Sequence, residues 1–337
     1  MKDYLLYPGC SMEYSARAYD LSLKAICEPL GMHLKEIEDW NCCGATEYVG
    51  ISLAPAYSLI ARNLALASQQ ANGTREVVAP CSACYLNLAK ADHYMQEQPK
   101  LGTMVNEALA AGQLSYQPGS LTIRHLLDVI INDIGLDQVE KSVVQPLAGL
   151  RLVPYLGCMV PRPDYEHRWS DHEFPIELDL LLKALGAEVV DFPLKTECCG
   201  GHMTQIGPDT AFELIHRLIA SADSREADAM VTLCPMCQLN LDAYQGEMNQ
   251  HFGSRYHMPV LFFTQLMGLA FGIDAKELGF GLELVSARNV LEAIGVKPPP
   301  ETPAAPPRRP RKPEGLPMPQ PLVKETHPEE LTKELTP

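Results

Sequence analysis

Ten of the eleven cysteines fall into two copies of one pattern. The first is Cys10, 31 residues, Cys42-Cys43-Gly44, 36 residues, then Cys81-x-x-Cys84. The second is Cys158, 39 residues, Cys198-Cys199-Gly200, 33 residues, then Cys234-x-x-Cys237. Five thiols in one order, given twice, specify two equivalent thiolate-ligated centres. A disulfide framework is disfavoured, because a chain of 337 residues buries its own core and the cysteine count is odd. Structural zinc takes four ligands, often from two C-x-x-C knuckles, and each copy here has one knuckle, one adjacent pair and one lone cysteine. Ordinary cubane iron–sulfur clusters also take four cysteines, usually from compact runs. Adjacent cysteines strain to reach two corners of one small cubane. A larger or opened iron–sulfur cluster uses all five thiolates, with zinc in at least one copy as the competing reading.

The repeat extends past the cysteines. YPGC (7–10) matches YLGC (155–158), NCCGA (41–45) matches ECCGG (197–201), and PCSACYLNL (80–88) matches LCPMCQLNL (233–241). Offsets of 148, 156 and 153 between equivalent cysteines are what loop-length changes give between duplicated units. Each unit reads as alternating strands and helices. In the first, strands are expected at Tyr4–Tyr7, His33–Ile37 and Glu76–Ala79, with helices at Ser15–Leu30 and Pro55–Ala71. In the second, strands are expected at Arg151–Leu156, Glu188–Phe192 and Ala229–Leu233, with helices near Ile176–Leu185 and Thr210–Ala222. A further helical stretch is expected near Leu121–Ile134. The fold class is therefore α/β, two duplicated units with mainly parallel sheets. Every cysteine group follows a strand, which puts it at the carboxyl edge where open α/β sheets bind ligands.

The expected domains are 1–148, 149–297 and a tail at 298–337. The last 40 residues hold 13 of the 28 prolines and a basic run at Arg308, Arg309, Arg311 and Lys312. They read as an extended or disordered tail, solvated or laid as a strap over a partner. A formal charge of −15 argues against nucleic acid and against an anionic membrane surface. The longest apolar stretch, Met258–Ile273, is too short and too interrupted to span a bilayer. The start MKDYLLYPGC lacks a signal-peptide core, so a reducing cytoplasm is expected.

The doubled C-x(31–39)-C-C-G-x(33–36)-C-x-x-C pattern, over about residues 3 to 290, resembles the CCG domains of the heterodisulfide reductase B subunit. The resemblance implies two non-cubane [4Fe–4S] clusters. One would be held by Cys10, Cys42, Cys43, Cys81 and Cys84, the other by Cys158, Cys198, Cys199, Cys234 and Cys237. It implies reductive cleavage, or the reverse formation, of a disulfide lying between the two clusters. It also implies electrons from a ferredoxin-like C subunit and a flavin-containing A subunit. Completeness of both sets favours catalysis at paired clusters over a relay to a quinone or flavin partner. The proline-rich tail departs from the compact methanogen subunit, and a bacterial sulfur-oxidation type acting on lipoyl-bound sulfur is the near alternative.

Other residues signal less. His202, in Cys198-Cys199-Gly200-Gly201-His202, is placed to donate a proton at the second centre, or else is packed or solvated. Cys27, on a helix face with Leu23 and Leu30, reads as core. His125 reads as a helix-packing residue. Lys90 and His93 follow the first C-x-x-C helix, with contact to an anionic substrate only the lesser reading. The Leu261–Phe271 stripe reads as core or subunit interface.

Overall fold

The computed structural model describes residues 2–45, 47–161 and 169–300. The expected tail therefore lies outside them, apart from Pro298–Pro300. Residues up to 301 cluster as one compact unit.

Among the described residues, eight strands form two four-stranded parallel sheets. The strands are β1 (Lys2–Leu6), β2 (Met32–Glu36), β3 (Glu76–Ala79), β4 (Thr122–His125), β5 (Arg151–Tyr155), β6 (Glu188–Val189), β7 (Ala229–Thr232) and β8 (Val260–Phe262). The orders are β2-β1-β3-β4 and β6-β5-β7-β8, so the two sheets repeat one topology. The register is parallel throughout, with Leu5 opposite Val77 in the first sheet and Val153 opposite Met230 in the second. This bears out the α/β reading and its duplication.

The fourth strand of each sheet was not legible as a strand. Leu121–Ile134 reads as one helical stretch, yet Thr122–His125 pairs with β3 before the chain turns into the helix Leu126–Val129 and a π-helical turn at Ile130–Ile134. In the second repeat Val260–Phe262 pairs with β7 and runs straight into the helix Phe263–Ala270. Both strands are buried runs of three or four residues with no intervening turn signal, which periodicity cannot separate from a buried helix. The expected strand at Glu188–Phe192 shortens to Glu188–Val189.

Side chains on the second sheet alternate between two apolar layers, as a period of two requires. Val153, Tyr155 and Met230 face a layer of their own, with Ile215, Leu218 and Ile219 of the helix Pro208–Asp223. Leu152, Ala229 and Val231 belong to a core that is continuous with Leu5, Val78 and Leu127 of the first repeat. The two repeats therefore share one core.

The seam between them is built by exchange. The helix Arg17–Cys27 of the first repeat packs on Phe263–Ala270 of the second. Ser22 and Thr264 hydroxyls meet there at 2.6 Å, and Tyr19 stacks on Phe262 at 4.4 Å between ring centroids. The mirrored pair is Trp169 and His125, centroids 6.2 Å apart. The Leu261–Phe271 stripe is thus core. Cys27 packs at the edge of this core, its thiol 3.2 Å from the Leu23 carbonyl, and burial pushes that thiol up to about 11.

A shared core makes unfolding cooperative. Phe262→Ala should cost about 3–5 kcal/mol, the usual loss for a buried phenylalanine. Single-tryptophan variants retaining Trp40 or Trp169 report one repeat each. Their denaturant transitions should coincide, and separated midpoints would show independent domains.

Candidate functional site

The sheets bring all ten repeated cysteines to their carboxyl edges. Cys10 and Cys158 lie just past β1 and β5. Cys81 and Cys234 lie two residues past β3 and β7, where each caps a helix, Ser82–Glu97 or Pro235–Ala243. The adjacent pairs sit in irregular loops after β2 and β6. In each set the second cysteine of the pair and both cysteines of the C-x-x-C are buried, whereas Cys42, Cys158 and Cys198 are half-buried and Cys10 is exposed.

Three residue types frame each set, and each occurs in both repeats. Tyr7 and Tyr155 donate hydroxyl hydrogen bonds to the carbonyls just before the adjacent cysteines, Asn41 at 2.6 Å and Glu197 at 2.7 Å. Asn87 donates to the Cys43 and Ala45 carbonyls, and Asn240 to those of Cys199 and Gly201. These amides pin the adjacent pair to the helix carrying the C-x-x-C. Gly9 and Gly157 adopt φ of 75° and 71°. A Cβ there would stand 2.7 Å from Cys84 Sγ or 2.9 Å from Cys237 Sγ. The backbone comes this close to the thiols only because it lacks a side chain. The glycines stand out in the sequence, whereas the tyrosines and asparagines were missed. Their signal was the identity of YxGC and LNL across the repeats.

The thiols touch one another. Cys10 and Cys42 lie 3.7 Å apart, Cys43 and Cys84 3.5 Å, and Cys199 and Cys237 3.5 Å. Cys81 lies close enough to Cys84 in its own loop and to Cys234 across the seam for their thiols to influence one another's ionisation. Cys234 in turn meets Cys237. The two sets are therefore joined through their C-x-x-C loops. Beside this junction the Tyr19 hydroxyl lies 3.1 Å from the Pro80 carbonyl and 3.4 Å from that of Leu233, the residues just before Cys81 and Cys234. His125 caps Leu126–Val129, where its Nδ1 accepts from the Leu127 amide at 3.1 Å. Burial holds its pKa down near 4, so the ring is neutral with its proton on Nε2. It lies against the same two loops, at the seam rather than in mere helix packing.

Hydrogen bonds from the Cys42 and Cys84 thiols pull Cys43 far below the usual thiol range, and those from Cys237 and Cys81 do the same for Cys234. Their neighbours move oppositely. Cys42 and Cys84 are raised by holding the shared proton for Cys43, and Cys237 is raised by Cys199. In each set one thiol is thus favoured for ionisation at the expense of its neighbours, and crowded thiols ionise together only with added positive charge. Among the described residues no three His, Cys, Asp or Glu side chains converge at the spacing of a single metal ion. The thiols instead string out in pairs. A dense, all-sulfur donor set that needs cations to ionise fits an iron–sulfur group, whose ligands must be thiolates.

His202 stands at the start of the short helix Met203–Ile206, half-buried. His93 pairs with Glu97, 3.3 Å away. Lys90 and His93 therefore part company, because Lys90 lines a cavity beside the first set.

The cysteine-rich domain family model, CCG, matches residues 4–89 and 153–242. The chain belongs to this family, as a duplicated CCG protein. It is 35% identical to the 8-methylmenaquinol:fumarate reductase membrane anchor subunit of Wolinella succinogenes, over 86% of this chain and 99% of that one. It is 27% identical to the B subunit of the ferredoxin:CoB-CoM heterodisulfide reductase of Methanosarcina mazei, over 86% and 95%. A protein of Archaeoglobus profundus described as like the heterodisulfide reductase B subunit is 28% identical over 82% and 93%. The crystal structure of a hypothetical protein from Helicobacter pylori shares the fold, with TM-score 0.66 and 16% identity over 85% of this chain, which spans about half of that structure (52%). Among the described residues no helix is long and apolar enough to cross a membrane.

Gly9→Ala and Gly157→Ala test the framing. Each should lower bound iron and labile sulfide while leaving far-ultraviolet circular dichroism unchanged. Full iron content in both variants would show that the close backbone approach is dispensable.

Proposed function

We propose that this chain is the iron–sulfur electron-transfer subunit of a multi-subunit reductase, and that its two centres work as a pair on one disulfide. One [4Fe–4S] cluster, of the non-cubane type, would be held by Cys10, Cys42, Cys43, Cys81 and Cys84. The other would be held by Cys158, Cys198, Cys199, Cys234 and Cys237. The observation that carries this reading is the approach of the two C-x-x-C loops at the seam, where one hydroxyl, that of Tyr19, reaches the carbonyls just before Cys81 and Cys234 and makes the two sets neighbours. Such clusters, when bound, supply single electrons and a soft iron site for sulfur. A disulfide takes two electrons, and two adjoining one-electron centres match that demand.

The protein's own residues set the geometry. Tyr7, Tyr155, Asn87 and Asn240 fix the adjacent cysteines, and Tyr19 fixes the distance between the C-x-x-C loops. His202, close after Cys199 in the chain, is proposed to protonate a thiolate product. The half-buried and exposed cysteines, Cys10, Cys42, Cys158 and Cys198, give each set an accessible side, while the seam side is closed.

By similarity to the heterodisulfide reductase relatives, the electron donors are proposed to be a ferredoxin-like and a flavin-containing subunit. A substrate carried on a lipoyl group fits the same pairing. The Wolinella relative favours a second reading, a relay that exchanges electrons with a quinone and has no disulfide of its own.

Anaerobically purified protein should carry about eight irons per chain with matching acid-labile sulfide, and negligible zinc. Cys43→Ser and Cys199→Ser should each remove about half of the iron yet abolish disulfide turnover rather than halve it. A visible spectrum that responds to menaquinol and to no disulfide would select the relay. His202→Gln should slow turnover without lowering the iron content.

A further inference from the structure

Among the described residues Cys10 is the one exposed cysteine, and Cys42 is half-buried beside it. Their sulfurs lie 3.7 Å apart, although the residues are 32 positions apart in the chain. Backbone groups, rather than the thiols themselves, hold the two loops together. Tyr7, three residues before Cys10, donates its hydroxyl hydrogen to the carbonyl of Asn41, the residue before Cys42, at 2.6 Å. Asn41 is fixed in turn. Its backbone N–H donates to the Asn63 side chain at 2.8 Å, and its own amide donates to the carbonyls of Cys42 and Leu59 at 3.0 Å. Gly9 and Gly44, at φ of 75° and 78°, turn the chain just before Cys10 and just after the adjacent pair.

A disulfide needs its sulfurs about 2.05 Å apart. Two loops already pinned side by side leave that closure to side-chain rotation. Thiol oxidation and exchange follow access as well as distance. Cys43 and Cys84 are slightly closer, at 3.5 Å, but only 3% and 4% exposed. Cys199 and Cys237, also at 3.5 Å, are 4% and 6% exposed. In the second repeat the counterparts of Cys10 and Cys42 are Cys158 and Cys198, both half-buried. Proximity and an exposed attacking sulfur therefore coincide at Cys10 and Cys42.

We propose that Cys10 and Cys42 are a redox-sensitive modification site, a reversible disulfide that competes with ligation of the first centre. The oxidant is a small-molecule disulfide such as oxidised glutathione. The Cys10 thiolate attacks one glutathione sulfur, and the other glutathione leaves as its thiolate. The Cys42 thiolate then attacks the Cys10 sulfur of the mixed disulfide and releases the second glutathione. One protein S–S bond forms and one glutathione S–S bond breaks. Two electrons and the two thiol protons pass to the two glutathiones, and an excess of reduced thiol runs the exchange backwards. The bond takes two of five donors from the first set and none from the second. The proposal rests on the reading that these cysteines ligate an iron–sulfur group, and it adds a control: loading of one centre, not both, follows the thiol redox state.

The test treats the full-length chain anaerobically with oxidised glutathione, in its iron-loaded form and after a chelator has stripped it. Remaining thiols are alkylated and the disulfides mapped by peptide mass. The stripped chain should give Cys10–Cys42 as its main disulfide, dithiothreitol should remove it, and the loaded chain should form it at least tenfold more slowly. Cys42→Ser should stop at the mixed disulfide, with glutathione held on Cys10. During slow chelation of loaded protein under the same glutathione, the bond should appear in step with iron loss, a second measurement that does not begin from a stripped chain. No disulfide at this pair, or Cys43–Cys84 or Cys42–Cys43 as the main product in both measurements, overturns the inference and leaves the ligand reading standing. A Cys10–Cys42 bond that forms equally fast in the loaded chain with iron retained keeps the modification site and defeats the assignment of these two cysteines as ligands.

Discussion

The contact of the two C-x-x-C loops across the seam is the constraint on which the rest of the structure depends. Cys81 and Cys234 can meet only if β3 and β7 end at the same place from opposite repeats. That requires the helix after Cys10 to pack on the second repeat. Tyr19 then reaches both loops at once, its hydroxyl near the carbonyls of Pro80 and Leu233. A fully buried hydroxyl without partners would cost about 1–3 kcal/mol, so these carbonyls also hold the tyrosine in place. The seam thus couples packing energy to the spacing of the two centres.

Around that fixed point each repeat solves the same local problem. Thiols must be crowded, yet backbone must pass between them. Glycine at 9 and 157 removes the atoms that would collide with Cys84 and Cys237. Tyrosine and asparagine then occupy the carbonyls that such irregular loops leave unpaired, since buried backbone acceptors need donors. The outcome is a preorganised sulfur surface with little freedom. Thiols this crowded resist ionising together, and bound cations would favour their ionisation.

The relatives divide along chemistry that this surface does not itself separate. Heterodisulfide reductase B subunits and a quinol-linked anchor subunit share the duplicated family with this chain. A pair of adjoining one-electron centres suits either a disulfide or a quinone, because both are two-electron carriers.

Much of the site was legible in the sequence because covalent order alone encodes it. Two matching runs of five cysteines, with YxGC and LNL around them, marked out the candidate ligand set, the duplication and the parallel α/β class. The fourth strand of each sheet was hidden, since Ile123 and Leu261 are buried and a short buried strand lacks the alternation that marks an exposed one. The sharing of one core, the meeting of Cys81 with Cys234, the placement of Tyr19 and His125 at the seam, and the separation of Lys90 from His93 were decided only in three dimensions. Each depends on residues distant in sequence arriving at one point, and periodicity reports what faces inward, never which inward faces meet.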